Sequence, residues 1–148
     1  MVINLHGFAL NGTQQTSYSD FNTIAESEGF IVIIPEGLSD TTFFGAIGTH
    51  WNSYWGTDSD DLGFLNLLID QAYTDYGIDL SRVYCAGFSN GGFMSHRLAC
   101  ELSDRIAAIA CVAGGVADKA GDVAGSAVDK AKDLGNSAAD AVTGSDSE

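Results

Sequence analysis

Arg82-Val83-Tyr84-Cys85-Ala86-Gly87-Phe88-Ser89-Asn90-Gly91-Gly92-Phe93-Met94 reads as a short buried strand, a very tight turn and the start of a helix. The turn, Gly87 to Gly91, has the pattern G-x-S-x-G, the signature of a nucleophile elbow when strand and helix flank it. The serine must adopt an unfavourable backbone conformation so that its Oγ projects clear of both elements. Strand and helix then pass so close that a Cβ two residues to either side would clash, which calls for glycine at both places. The helix beginning at Asn90 directs its positive end at the site, and the Asn90 N–H is placed to meet a developing oxyanion. In a glycine-rich chain the five-residue pattern alone can arise by chance. The β-rich run Val83–Ala86 before it and the helical run Gly92–Leu102 after it supply the context that the pattern needs.

Outward from the elbow, strands and helices alternate. Val2–Leu5 is a strand, followed by His6-Gly7-Phe8-Ala9. Ser17 to Asp20 fits an S-x-x-D capping box that opens a helix through Phe21, Ile24 and Ala25, closed by Gly29. Phe30–Ile34 is a continuous apolar strand, as expected where helices cover both faces of a parallel sheet, and the sole proline, Pro35, ends it. Glu36–Thr57 is a long loop with Phe43, Phe44, His50, Trp51, Tyr54 and Trp55, a density of aromatics that suits a site wall or a lid, or a cover for the core edge. Ser59-Asp60-Asp61 starts a helix with negative charge in its first turn. Its apolar stripe runs Leu62, Leu65, Leu68, Ile69, Ala72, Tyr73, Tyr76, with Gly77 at its end. Ile106–Val112 is a further buried strand. This order predicts a mostly parallel sheet in a three-layer α/β fold, with a ligand site at the carboxyl ends of the strands. His6, the aromatic loop and Ser89 each follow a different strand end and are expected to converge there.

Composition sets limits. The 148 residues suffice for one core, and 45% are hydrophobic. A net charge of −14 opposes nucleic-acid binding. No apolar run reaches membrane-spanning length, and Met1–Leu5 lacks the pattern of a signal peptide. Cys85, Cys100 and Cys111 sit in apolar settings and are expected as buried free thiols, with no metal or organic cofactor implied. Residues 1–111 hold 13 Asp/Glu, three arginines and no lysine, whereas residues 112–148 hold seven acidic groups, three lysines and no aromatic. This break predicts a boundary near Gly114-Gly115, between a core of residues 1–115 and a low-complexity tail of residues 116–148.

The core resembles the α/β-hydrolase fold, and within it the secreted esterases of the polyhydroxybutyrate depolymerase, feruloyl esterase and acetylxylan esterase type. The resemblance rests on Leu5-His6-Gly7, Trp51-Asn52, Asp60–Leu65, Arg82-Val83-Tyr84, Gly87–Gly92 and Arg97–Glu101, in that order. It implies a serine carboxylic-ester hydrolase with Ser89 as nucleophile of a Ser-Asp-His triad. It also implies an oxyanion hole from the backbone N–H groups of Asn90 and Phe8, and a structural role for His6. A small ester, polyester or carbohydrate ester would be the substrate, with Trp51 the best residue to line its acyl or aryl part and His50 a further lining candidate. The family places the triad acid and histidine after the serine, yet residues 116–148 contain no histidine. His96 lies two helical turns beyond Ser89, which makes it a packing or surface residue, while the loop position of His50 makes it a candidate base. The alternative is a non-catalytic, truncated or fused hydrolase segment, lacking the leading strands of the full fold.

The tail repeats loosely at an offset of 11 residues, Val116–Val123 against Ala127–Leu134, and resembles late-embryogenesis-abundant-like stress proteins. Its composition suits a partly disordered solubility or interaction segment, or a loose helix. A sheet cut at Ile106–Val112 leaves an uncharged edge. The expectation is that the tail covers it near Ile109 and Cys111, or that the chain self-associates there.

Overall fold

The computed structural model describes residues 1–40, 48–53 and 58–114. Phe43, Phe44, Tyr54, Trp55 and the whole tail from residue 116 lie outside the described residues, so the expectations placed on them are not addressed below. The chain divides into two units, Met1–Gly115 and Val116–Glu148.

The first unit carries four parallel strands, β1 (Val2–Leu5), β2 (Val32–Ile33), β5 (Tyr84–Phe88) and β6 (Ala108–Val112), in the order β2-β1-β5-β6. Helices α1 (Gly12–Ser19) and α2 (Phe21–Glu28) join β1 to β2. A small hairpin of β3 (Leu38–Asp40) and β4 (Gly48–His50), then α3 (Asp61–Tyr76), lead from β2 to β5, and α4 (Asn90–Glu101) joins β5 to β6. The chain steps one way from β1 to β2 and the other way from β2 to β5 and β6. That reversal puts the topological switch point between the carboxyl ends of β1 and β5, where open α/β sheets place their ligands.

The pairing register aligns side chains in rows that alternate between the two faces. Ile3 stands beside Cys85 and Ile109, and Leu5 beside Gly87 and Cys111. This face carries the core: Ile3, Leu5 and Cys85 pack with Leu65, Ile69 and Ala72 of α3 and Met94 and Leu98 of α4. The intervening row, Asn4, Ala86 and Ala110, faces the α1 side. There Gln15 Nε2 donates to Asn4 Oδ1 at 2.8 Å and Asn4 Nδ2 donates to Ser19 Oγ at 2.8 Å, a buried polar link that pins α1 to β1.

Several local expectations are corrected. The first helix starts five residues earlier than Ser17: Asn11 Oδ1 accepts from Gln14 N–H and Gln14 Oε1 accepts from Asn11 N–H, a reciprocal capping box. Ser17 instead donates back to Thr13 O inside α1, and Asp20, at φ 48°, breaks the run into two helices. Gly29 and Gly77 do end α2 and α3 with positive φ, 69° and 61°. Phe30–Ile34 yields only two paired residues, half-buried, because β2 is the edge of the described sheet. The stripe of α3 narrows to Leu65, Ile69 and Ala72 with Leu62 and Leu68 beside them, while Tyr73 and Tyr76 face solvent. The 36–57 stretch contains a hairpin where a plain loop was expected.

Candidate active site

Ser89 sits between the end of β5 and the first residue of α4, half-buried, with φ 51° and ψ −113°. The other described non-glycine residues with positive φ are Ala9, Asp20 and Ala113, and none of them joins a strand directly to a helix. Two hydrogen bonds hold the conformation: Ser89 N–H donates to Val112 O at 2.8 Å, and Ser89 O accepts from Phe93 N–H at 3.1 Å. The flanking glycines are obligatory for a reason visible in their surroundings. A Cβ on Gly91 would lie 2.6 Å from His6 O and closer still to Leu5 O. The helix therefore starts directly against the carboxyl end of β1, which is where the second strand end of the switch point lies.

Beyond Leu5 the chain turns through Gly7-Phe8-Ala9-Leu10, with Leu10 N–H donating to Gly7 O at 3.1 Å and Ala9 at φ 57°. Phe8 is the second residue of this turn. His6 stands behind the turn, fully buried. Its Nε2 accepts from Gly37 N–H at 2.9 Å, so the proton sits on Nδ1, which donates to Gly7 O at 2.8 Å. Both ring nitrogens are occupied in holding the β1 turn to the hairpin, which is the structural role expected of this residue. The hairpin is tied to the same turn by Ala9 N–H donating to Thr49 O at 2.8 Å and by Thr49 Oγ1 donating to Leu10 O.

Trp51 and His50 lie next to this cluster, but not as expected. The indole of Trp51 is fully buried, its Nε1–H donating to His6 O at 3.0 Å and its ring 5.0 Å from that of His6. It is part of the core, so it presents no surface to a substrate; an aromatic residue in a loop near a site signals core as readily as wall. His50 is 1% exposed and tilts against Phe8 at 6.1 Å between ring centroids. Its Nδ1 lies 3.0 Å from Gly48 O, which can only accept, so Nδ1 carries the proton. His96 is half-buried on α4, seven residues along from Ser89.

Three side chains matter here in roles that the sequence does not assign to them. The Asn90 side chain is 2% exposed and faces Trp51 and Ser53. Asp61, read as a helix-dipole charge, is 3% exposed: its Oδ2 accepts from Asn52 N–H at 2.6 Å and from Ser59 Oγ at 3.0 Å. Arg97 Nη1 donates to Asn52 O at 2.6 Å, and its Nε pairs with Glu101 at 2.8 Å. Together they fix residues 51–53 between the start of α3 and the body of α4. The signal available in the sequence was their co-occurrence in one resemblance, Trp51-Asn52 with Asp61 and Arg97.

The cysteines are free thiols. Cys85 is buried beneath the elbow, 3.2 Å from Ser95 Oγ, and burial pushes its pKa up to about 12. Cys100 and Cys111 are half-buried, and desolvation raises both in smaller measure. Among the described residues no group of three His, Cys, Asp or Glu could hold a metal ion, and no helix is long and apolar enough to cross a membrane. A cavity of about 720 Å³ opens on the α1 face, lined by Phe8, Gln15, Tyr18, Phe88, Ala110 and Val112. Another of about 530 Å³, at Met1, Phe30, Tyr76 and Arg82, lies at the amino ends of the strands, away from Ser89.

Comparison with known proteins agrees with this geometry. A bifunctional acetylxylan esterase/xylanase of Neocallimastix patriciarum is 32% identical over 114 residues, covering 77% of this chain and 16% of that protein. Feruloyl esterase B of Piromyces equi is 34% identical over 123 residues, covering 82% of this chain and 22% of that protein. The chain thus spans about a fifth of the length of these relatives. The acetyl xylan esterase of Aspergillus awamori has the same fold over 73% of this chain and 39% of its own, with a TM-score of 0.62 and 23% identity. The family described as Esterase PHB depolymerase matches residues 1–147, past the point near residue 115 where the family pattern was expected to stop. With its elbow, its glycine contacts and this match, the chain belongs to the Esterase PHB depolymerase family.

Proposed function

We propose that this chain carries the nucleophile and the oxyanion donors of a serine carboxylic-ester hydrolase. The observation that carries the reading is the backbone of Ser89, held at φ 51° and ψ −113° in a turn where a Cβ on either flanking glycine has no room. Such strain persists only where the surrounding structure enforces it, and it clusters at functional positions. In this reading Ser89 Oγ attacks the ester carbonyl carbon and its proton passes to a base. The negative charge that develops on the carbonyl oxygen is met by the N–H groups of Asn90 and Phe8, aided by the positive end of α4. The protonated alcohol leaves, and water then hydrolyses the acyl-serine. The names of the relatives, feruloyl and acetylxylan esterases, support an acyl or aryl ester of a carbohydrate as the substrate, and the family description supports a polyester. The chemistry described needs no metal or organic cofactor.

The base is an imidazole in this mechanism. His6 is committed to Gly37 and Gly7, and His96 stands along α4, so His50 is the candidate within the chain. Its burial and its packing on Phe8 favour a second reading, a hydrolase segment that does not turn over. A p-nitrophenyl acetate assay separates the two. Hydrolysis by the 148-residue chain that disappears in Ser89→Ala supports the first; equal rates in both proteins overturn it. A fluorophosphonate probe adds a direct readout, because rapid stoichiometric labelling of Ser89 requires a working base and excludes the second reading.

A further inference from the structure

The two oxyanion donors of the proposed site come from different parts of the chain, and a single fully buried side-chain relay joins them. Asn90 Oδ1 accepts from Trp51 N–H at 2.7 Å, and Asn90 Nδ2 donates to Trp51 O and to Ser53 Oγ, each at 3.1 Å. The carboxamide therefore pairs with both backbone groups of Trp51, as a neighbouring strand would. From Trp51 the relay continues through its indole N–H to His6 O, and from the His6 ring to Gly7 O, the residue before Phe8. Asn90, Trp51, Ser53 and His6 are each no more than 2% exposed.

We propose that the Asn90 carboxamide and the Trp51 indole are positioning groups that set the placement of the Phe8 N–H relative to the Asn90 N–H, and so the shape of the oxyanion hole. The proposal rests on the esterase reading for its catalytic consequence, but its structural content stands apart from it. Asparagine suits the position because it offers one acceptor and two donors at fixed spacing, enough to satisfy Trp51 N–H, Trp51 O and Ser53 Oγ together. Aspartate would present an acceptor where Trp51 O meets a donor, and alanine would leave the buried Trp51 N–H without its Asn90 acceptor, while Trp51 O keeps the Ser53 N–H at 2.9 Å. The indole is needed for its N–H: phenylalanine fills most of the same volume and cannot reach His6 O. Oxyanion donors act only when held at the right place, and displacements on the order of 1 Å cost roughly a hundred-fold in rate.

The test uses Trp51→Phe and Asn90→Ala in the full chain, with Leu65→Ala as a control that loosens the shared core from α3 and removes no hydrogen bond of the relay. Two readouts are taken well below each protein's melting temperature: amide hydrogen exchange at Phe8, and kcat and KM for p-nitrophenyl acetate. The expected result is faster exchange at Phe8 in both relay variants, at least about five-fold, with kcat reduced roughly ten- to a hundred-fold and KM little changed. Leu65→Ala should lower the melting temperature while leaving exchange at Phe8 and kcat near wild type. Unchanged exchange at Phe8 in Trp51→Phe overturns the proposal, as does an equal effect in Leu65→Ala. If wild type shows no Ser89-dependent turnover, the esterase reading fails alone, and the exchange data still decide whether the relay holds the two segments together.

Discussion

Gly87 and Gly91 touch across the elbow: a Cβ on Gly87 would overlap the Gly91 carbonyl and stand 2.7 Å from Gly92 N. The strand that delivers Ser89 and the helix that leaves it thus meet backbone to backbone. No rotamer change can relieve the overlap, since the obstacle is main chain. Gly87→Ala and Gly91→Ala are each expected to destabilise the fold by about 3 kcal/mol or more. Urea unfolding would show it as a fall in midpoint at unchanged slope. By contrast Gly29→Ala, where nothing lies within 4 Å, meets only the strain of φ 69° and should cost about 1 kcal/mol.

Asp61 is a second point of dependence. Its carboxylate is almost fully buried and accepts from Asn52 N–H and Ser59 Oγ. Asp61→Ala leaves those donors without their acceptor and is expected to cost about 2 kcal/mol or more. Asp58→Ala, at an exposed position two residues before Asp60, should stay within about 0.5 kcal/mol. Equal losses in the two variants would mean that the Asp61–Asn52 contact adds nothing beyond surface charge.

These residues also mark how far the sequence could be read. The elbow was legible because a strained turn between close elements leaves a rigid signature, glycine at two fixed places around serine. The ends of α2 and α3 were legible at Gly29 and Gly77 for the same reason, since positive φ favours glycine. The hairpin β3–β4 was not legible, because each strand has three residues and its position depends on distant partners: Gly37 N–H on His6, Thr49 on Ala9 and Leu10. Asp61 was misread because an acidic residue in a first helical turn has an adequate local explanation in the dipole. Trp51 was expected at a substrate wall because loop position and aromatic character do not distinguish a wall from a core. Its partner, Asn90, is visible only once the fold brings positions 39 residues apart together.

The thiols offer a chemical check of the elbow's packing. Cys85 is held under the sheet face with its pKa at about 12, well above its usual 9.0. At pH 8 its thiolate fraction is negligible, so native protein should react with a maleimide at Cys100 and Cys111 before Cys85. Mass spectrometry of partially labelled protein would show the order. The linkage has a defined sign. Burial favours the neutral thiol, so its contribution is intact below the unfolded value near 9 and is lost as pH rises from there towards 12. Labelling of Cys85 at the rate of Cys100 would mean that the β5–α4 contact opens readily.

Asp79 sets an acid limit at the turn that leads into β5. Ser81 Oγ and N–H and Arg82 Nε all donate to its carboxylate, and they lower its pKa from 3.8 to about 2. A lowered folded value means that the charged form stabilises the turn above pH 3.8 and that the contribution fades as pH falls through 2. Asp79→Asn should flatten the pH dependence of the unfolding midpoint between about pH 4 and 2. An acid limb identical to wild type would show that the exposed turn contributes nothing to folding.

The last prediction concerns β6. It is the outer strand of the described sheet, and Ala108, Ala110 and Val112 on its α1-side face are exposed, Val112 at 61%. The face thought to need cover, Ile109 and Cys111, is instead turned towards α4, where Cys111 Sγ donates to Gly92 O at 3.4 Å. The uncovered surface is therefore the other one, with Tyr84, Phe88 and Tyr18 beside it, the last two stacked at 6.4 Å. It forms part of the wall of the 720 Å³ cavity and carries no charge. An uncharged edge strand next to an apolar face is a site for pairing with a second copy of the chain. The chain should self-associate with concentration and bind a hydrophobic dye. Val112→Lys changes an exposed side chain on the outer strand and keeps the backbone carbonyl that accepts from Ser89 N–H, so it should weaken both while leaving the melting temperature within a few degrees of wild type. Sedimentation showing a monomer across micromolar concentrations, with no dye binding before or after the substitution, would overturn the prediction.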